Sequence, residues 1–183
     1  MSKLGIYGGT FDPIHRGHLH LIEQVLSRDI VDRIILIPAG EPRLRSSEPT
    51  ATGQQRREMC QVALKDLPLD IASRVDVNPI EILRSGPSYT IDTVEAIKQA
   101  YPDDELFLLL GTDAYQKIDE WHRAKDLSDL VEFVVIDRPD FPGRPTLDID
   151  ALNISATSVR SGDFSALSPS VSAYIKEHNL YAS

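Results

Sequence analysis

The chain has little cysteine and no long apolar run, and each absence excludes a class of protein. Cys60 is its single cysteine, so an intrachain disulfide and a cysteine-based zinc cluster are both excluded. No run of apolar residues approaches the roughly 20 that a membrane-spanning helix needs. No basic signal region precedes the first apolar pattern, which begins within a few residues of Met1. The sequence therefore predicts a cytoplasmic protein with no membrane partner.

Basic residues are also scarce. The chain has 19 Lys and Arg against 28 Asp and Glu, and no more than two basic residues are adjacent. A general nucleic-acid binder typically has the opposite balance, so no nucleic-acid partner is expected. A small phosphorylated ligand remains compatible, because it responds to the local field of its pocket. The sequence does not show whether copies associate into a homo-oligomer.

The apolar pattern predicts a single α/β domain over residues 1–183, the whole chain. Buried parallel strands are predicted at 4–7, 33–37, 106–110 and 132–136, and helices at 18–27, 54–65, 91–100 and within 168–181. A further strand is predicted at 75–82, at an edge or broken, because Pro79 cannot donate a ladder hydrogen bond. This alternation predicts a doubly wound Rossmann-like fold, with a mainly parallel central sheet and helices on both faces.

A glycine-rich segment joins the first predicted strand to the first helix. Residues 8–19 read Gly-Gly-Thr-Phe-Asp-Pro-Ile-His-Arg-Gly-His-Leu. Gly8 and Gly9 allow the backbone to approach a ligand, and the helix N-terminus offers unpaired N–H groups. His15 and His18 can face the same anion. The segment therefore predicts a phosphate site assisted by two imidazoles acting as cations.

This segment resembles the His-x-Gly-His signature of the nucleotidyltransferase superfamily, and in its longer form it resembles the nicotinate-nucleotide adenylyltransferases. The resemblance implies an enzyme of NAD biosynthesis. It would transfer adenylyl from ATP to nicotinate mononucleotide, giving deamido-NAD (nicotinate adenine dinucleotide) and pyrophosphate. It implies His15, His18 and Arg160 as catalytic residues, with Mg²⁺ carried by ATP and no protein metal site. The ATP-binding residues of this segment would be Gly8, Gly9, Thr10, Phe11, His15 and His18.

Residues 153–160 carry a second match. Ser155 and Thr157 are natural N-caps, which by themselves predict only a helix start. The segment also resembles the superfamily's Ile-Ser-x-Thr-x-x-Arg motif, with Ala156 where a second serine is common. The resemblance implies that Ser155, Thr157 and Arg160 hold the β- and γ-phosphates of ATP.

A third segment resembles the family's Gly-x-Asp…Trp segment and comprises Gly111, Asp113 and Trp121. In the family, the Gly and Asp contact the adenosine and the Trp stacks on the pyridine ring. The polar neighbours of Trp121, His122 among them, predict a partly exposed indole. His122 itself is expected to be an exposed helix residue, as is His178.

Ser88, Tyr89 and Thr90 match the family's Ser-Tyr-Thr. Thr90 is a candidate N-cap of the third helix. The match implies that N–H groups near this helix N-terminus accept the pyridine carboxylate, which favours nicotinate over nicotinamide. Tyr89, Thr90 and Trp121 are thus candidate mononucleotide-binding residues.

The loop after the second strand departs from the family. These enzymes commonly have Pro-Pro-His-Lys or Pro-Pro-His-Arg here. In an ungapped alignment, Leu44 takes the place of the histidine and Arg45 that of the basic residue. Arg45 is expected to bind the mononucleotide phosphate. Arg43 and Arg56 are alternatives, although solvent-exposed positions are expected for both.

Other functions stay open at this point. The acceptor could be nicotinamide mononucleotide, a pantetheine phosphate or a glycerol phosphate, and a non-catalytic nucleotide sensor could keep the same fold. A zinc site at His15, His18 and His20 is disfavoured, because no cysteine or carboxylate pattern completes it.

Overall fold

The computed structural model describes residues 1–40, 48–138 and 147–181. Its centre is a five-stranded sheet in which all neighbouring strands are parallel, in the order β3-β2-β1-β4-β5. In chain order the strands are β1 Lys3–Gly9, β2 Arg33–Pro38, β3 Val75–Val77, β4 Glu105–Gly111 and β5 Glu132–Ile136. The four strands predicted from apolar runs are confirmed, with small differences at their ends.

Helices occupy most of the connections between strands. They are α1 Arg16–Ser27, α2 Gly53–Ala63, α3 Leu69–Ala72, α4 Ile80–Leu83, α5 Thr90–Ala100, α6 Thr112–Tyr115, α7 Ala124–Leu130, α8 Ala156–Arg160 and α9 Pro169–Glu177. Short 3-10 turns lie at Leu64–Asp66, Ile118–Glu120 and Phe164–Ala166. The four predicted helices are confirmed as α1, α2, α5 and α9.

The strand predicted at 75–82 is shorter than expected. It does lie at the sheet edge, but it ends at Val77 and the chain turns into α4. The side chain of Asn78 accepts a hydrogen bond from the N–H of Ile80, and Pro79 has no N–H to pair with a strand. Together these residues favour a helical turn over further strand.

Side chains alternate between two cores on the two faces of the sheet. Leu4 and Ile6 of β1 pack with α5 and α7, whereas Tyr7 packs with α1, α2 and α9. Cys60 is a buried thiol of the second core, as predicted. The chain leaves β1 through α1 on one face and enters β4 after α5 on the other. A doubly wound sheet opens a crevice at such a switch point, at the carboxyl ends of β1 and β4. Within the described ranges, no helix is long and apolar enough to span a bilayer.

Candidate active site

A cavity of about 1000 Å³ lies at the carboxyl ends of β1 and β4. Its wall includes the predicted site residues Gly8, Gly9, Thr10, Phe11, His15, His18, Tyr89, Thr90, Gly111, Asp113, Trp121, Ser155, Thr157 and Arg160. Residues far apart in sequence therefore share one cleft, and its volume is typical of small-molecule sites. Arg45, with Arg43 and Leu44, falls outside the described residues.

His15 and His18 form the N-terminal cap of α1. The N–H of Gly17 donates to Nδ1 of His15 at 3.1 Å, and the N–H of His15 donates to Nδ1 of His18 at 3.0 Å. The two rings stack with their centroids 3.8 Å apart. Imidazoles here take the place of the hydroxyl and carboxamide groups of an ordinary capping box. The helix start therefore fixes both rings in the cavity wall.

This cap decides the protonation of both rings. A backbone N–H can only donate, so each Nδ1 is an acceptor and the proton of each neutral ring is on Nε2. Burial, with a smaller contribution from the charge of Arg138, lowers the pKa of His15 from 6.5 to about 4. Burial and the neighbouring charges of His15 and Arg138 lower the pKa of His18 well below its usual range. The prediction of cationic imidazoles is therefore wrong for the free protein, which presents two neutral N–H donors near pH 7.

Phe11 packs against Gly9 and His18 of this segment. It has a left-handed backbone with φ of 52° and is buried. Its ring lies edge-on to His18, with centroids 5.0 Å apart. A Cβ on Gly9 would lie 3.0 Å from the Phe11 ring, so only glycine fits there without displacing it. Gly9 and Phe11 thus act together in shaping the turn.

Helix α8 carries the second predicted motif. Ser155 is its N-cap and accepts from the N–H of Ser158 at 3.2 Å, which confirms the predicted helix start. Arg160, one turn further on, donates to Oγ1 of Thr157 at 3.2 Å and to the carbonyl oxygen of Asp12 at 2.7 Å. Arg160 is thereby fixed to the glycine-rich segment.

Arg138 is a cavity residue that sequence reasoning missed. Its Nη1 lies 3.1 Å from Oδ2 of Asp113, and both residues line the cleft. A Cβ on Gly111 would lie 2.6 Å from Asp113 and 2.7 Å from the Arg138 side chain, so glycine is needed for this close pairing. Arg138 follows β5, which ends at the same edge of the sheet, and that position was its only signal in the sequence.

The N-terminus of α5 and an aromatic group form another part of the cleft. The N-cap of α5 is Tyr89, in extended conformation, and not Thr90 as predicted; Thr90 is the first helical residue. The Tyr89 ring lies 4.2 Å from the His122 ring, centroid to centroid. Trp121 is half-buried, as predicted, and its indole nitrogen is a buried donor with no partner among the described residues.

The sequence predicted exposed positions for His122, His178 and Arg56, and the structure confirms the exposure of the two histidines only. His122 is exposed but lies in a turn between helices, and it is also a cavity residue that the sequence did not identify. His178 is exposed at the C-cap of α9. Arg56, expected in solvent, is only 2% exposed and donates to the carbonyl oxygens of Thr10 and Ala51. Of these two carbonyls, that of Thr10 belongs to the glycine-rich turn, so Arg56 supports the turn.

Comparisons with known proteins agree with this geometry. The profile of the cytidylyltransferase-like family matches residues 6–162. The nicotinate-nucleotide adenylyltransferase of Bacillus subtilis is 34% identical over 195 residues, covering 100% of both chains.

Solved structures share the fold. The nicotinic acid mononucleotide adenylyltransferase of Plasmodium falciparum, complexed with NaAD, superimposes with a TM-score of 0.84 at 21% identity, covering 99% of this chain and 98% of that one. The same protein complexed with APC gives a TM-score of 0.82 at 20% identity, with the same coverage. At such identities the likeness concerns the fold alone.

Proposed function

The chain belongs to the cytidylyltransferase-like family and, within it, to the nicotinate-nucleotide adenylyltransferases, and we propose on that premise that it transfers the adenylyl group of ATP to nicotinate mononucleotide. The products are nicotinate adenine dinucleotide and pyrophosphate. One observation carries the proposal: the residues expected to bind triphosphate line the same cavity as Tyr89, Thr90 and Trp121, which are expected to bind a pyridine nucleotide.

The chemistry needs no protein nucleophile. A phosphate oxygen of the mononucleotide, ionised at neutral pH, attacks the α-phosphorus of ATP. The new P–O bond forms as the bond from the α-phosphorus to the bridging oxygen breaks, and pyrophosphate leaves. Catalysis then consists of positioning the two substrates and stabilising charge on the transferring and departing phosphates.

His15 and His18 supply the donors for that charge. Their Nδ1 atoms are occupied by backbone N–H groups, so Nε2–H is the edge each ring has for the α- and β-phosphates. A neutral donor that is already oriented costs no reorganisation when negative charge develops. Bound triphosphate also raises the pKa of a nearby imidazole.

Other residues complete the ATP site in this proposal. Thr157 and Arg160, with Ser155, hold the β- and γ-phosphates, and Gly111 and Asp113 meet the adenosine. Gly8, Gly9, Thr10 and Phe11 shape the turn around the triphosphate. Mg²⁺ enters as part of the substrate Mg-ATP and screens its charge.

The acceptor preference follows from α5. Its N-cap Tyr89 makes no side-chain hydrogen bond to the helix start, and Tyr89 and Thr90 both line the cleft, so this eleven-residue helix begins beside the cleft without a side-chain cap. A pyridine carboxylate satisfies the N–H groups of the helix start, whereas a carboxamide brings no charge to the positive helix end. Trp121 stacks on the pyridine ring, and Arg45 binds the mononucleotide phosphate.

The same proposal covers the rest of the chain. Residues 1–183 form one nucleotidyltransferase domain, since both cores and the cleft share one sheet. The enzyme acts in the cytoplasm, where ATP and the mononucleotide are found.

Pyrophosphate release with several acceptors tests the proposal. ATP is mixed with nicotinate mononucleotide, its amide, or a pantetheine phosphate, one acceptor at a time. We expect the fastest release with the nicotinate form. Faster reaction with the amide would overturn the acceptor assignment, and ATP binding without release for any acceptor would favour the nucleotide sensor.

A further inference from the structure

The carboxylate of Asp12 joins distant parts of the chain at the cavity wall. Asp12 is only 1% exposed. The N–H groups of Thr50 and Ala51 donate to its Oδ2 and Oδ1 at 2.8 and 3.0 Å. The hydroxyl of Tyr181 donates to Oδ1 at 2.5 Å. Because a buried charge is tolerated only when its lone pairs are satisfied, these donors fix the carboxylate in place.

Asp12 also holds Arg160. Nη1 of Arg160 donates to the Asp12 carbonyl oxygen at 2.7 Å and lies 3.9 Å from Oδ2 of the same residue. A single nitrogen therefore contacts both the backbone and the side chain of Asp12. The position of the guanidinium follows that of the carboxylate.

Tyr181 lies just beyond α9, and the N–H of Leu180 donates to the carbonyl oxygen of Ile175 in that helix. Helix α9 is itself anchored by Ser170, whose N–H and hydroxyl both donate to Asp66, at 2.9 and 2.7 Å. Burial, followed by the bond to Asp12, raises the pKa of Tyr181 far above its usual range. Its hydroxyl is therefore protonated, and it donates, at any working pH.

We propose that Tyr181 and Asp12 are positioning residues for the triphosphate: Tyr181 fixes the Asp12 carboxylate, and Asp12 sets where Arg160 meets the β- and γ-phosphates. Tyr181 reaches this site across 169 residues of sequence. The inference rests on the proposed function, which supplies the identity of the ligand.

The physical reason is competition for one guanidinium. Without the Tyr181 hydroxyl, Oδ1 keeps only the N–H of Ala51 among the donors described here. The partly satisfied carboxylate then draws more strongly on Arg160, its neighbouring cation, at the expense of the phosphates. Affinity for ATP falls, while affinity for the mononucleotide does not change.

Tyr181→Phe tests the inference, with Tyr174→Phe as its matched control. Both tyrosines are 8% exposed and both donate to a carboxylate, but Tyr174 contacts Glu58 and not Asp12. We expect Tyr181→Phe to raise both KM for ATP and the Kd of a non-hydrolysable ATP analogue about fivefold. KM for the mononucleotide should be unchanged, and Tyr174→Phe should leave both constants for ATP unchanged.

Unchanged affinity in Tyr181→Phe, or an equal loss in Tyr174→Phe, would overturn the inference. The Kd comes from calorimetry and needs no turnover. A wild-type chain that binds the analogue but forms no dinucleotide therefore defeats the proposed function and leaves this test valid.

A double-mutant cycle shows whether Tyr181 acts through Arg160. In an Arg160→Ala background, Tyr181→Phe should cause no further loss of analogue affinity. A second fivefold loss there would mean that Tyr181 acts on the fold as a whole, and the inference would be wrong.

Wild-type protein offers a test that does not depend on folding of the variants. The N–H of Leu180 donates to the carbonyl oxygen of Ile175 and reports on the segment that carries Tyr181. If ATP binds best to the conformation in which Tyr181 contacts Asp12, a saturating ATP analogue should stabilise that conformation and slow hydrogen exchange of this amide. An unchanged exchange rate would contradict the inference.

Discussion

The two histidines combine structural and chemical roles in single side chains. Nδ1 of each ring accepts a backbone N–H of the helix start, and the opposite edge remains for the ligand. Orientation and tautomer therefore come from the same pair of hydrogen bonds. Without these hydrogen bonds to Nδ1, neither the orientation nor the tautomer of the rings would be fixed.

Removing the His18 ring should reduce turnover strongly. His18→Ala deletes one oriented donor and one capping acceptor, and loss of a preorganised donor costs about 10²–10³ in kcat. Pyrophosphate release measures it, with circular dichroism to confirm folding. His20→Ala is the control, because His20 lies on the same helix but its Nε2 contacts the carbonyl oxygen of Ile149. A folded His18→Ala variant with wild-type turnover would refute this role.

The pKa of His15 should lie well below that of a free histidine. Its pKa in the fold is about 4, below the usual 6.5, because the charged form is poorly solvated. NMR of the ring protons, assigned with His15→Gln, should show a midpoint near 4 that rises when an ATP analogue binds. A midpoint of 6.5 in the free protein would contradict the neutral cap.

The same shift makes stability depend on pH. The unfolded chain binds protons at His15 and His18 near pH 6.5, whereas the folded chain does not, so unfolding is favoured as the pH falls. This contribution is fully present above pH 6.5 and is lost as the pH falls towards about 4. Urea unfolding of wild type and His15→Gln over this range should show a smaller loss of unfolding free energy in the variant.

At the scale of elements, strands were easier to predict than functional helix ends. Strands buried on both faces are continuous apolar runs, so β1, β2, β4 and β5 are legible in the sequence. The histidine capping box was not, because cap residues are ordinarily Ser, Thr, Asp or Asn. Tyr89 was missed as an N-cap for the same reason.

The start of α5 gives a prediction about acceptor choice. Tyr89 sits at the N-cap with φ of −112° and ψ of 144°, a conformation that suits aspartate. Tyr89→Asp should therefore be about 1 kcal/mol more stable than Tyr89→Ala, measured by urea unfolding, because both variants lose the ring and only aspartate caps the helix. Its carboxylate would also occupy the helix end, so KM for nicotinate mononucleotide should rise about tenfold and KM for the amide much less.

Tyr89→Ala is the control for Tyr89→Asp. Both variants lose the ring that stacks on His122, but only the Asp variant adds a negative charge at the helix end. Equal KM values for nicotinate mononucleotide in the Ala and Asp variants would show that the helix end does not bind the pyridine carboxylate.

At the scale of the whole molecule, the site is built from contacts that sequence motifs reveal only in part. The glycine-rich segment, α8 and α5 carry recognisable motifs, and their convergence follows from the switch point of a parallel sheet. Arg56 and Arg138 carry no such signal, and the motif that contains Asp12 does not reveal its bond to Tyr181. Their roles depend on carbonyls and charges brought close by the fold, such as the Thr10 carbonyl that Arg56 binds across 46 residues.

Direct tracing of the adenylyl group tests the central claim, which is that one cleft joins ATP to a pyridine mononucleotide without a covalent enzyme intermediate. The chain is mixed with ATP labelled at the α-phosphate, with and without nicotinate mononucleotide. We predict that the label appears in the dinucleotide, with one pyrophosphate per dinucleotide and no reaction in the absence of acceptor. Label attached to the protein, or pyrophosphate released without acceptor, would contradict the account.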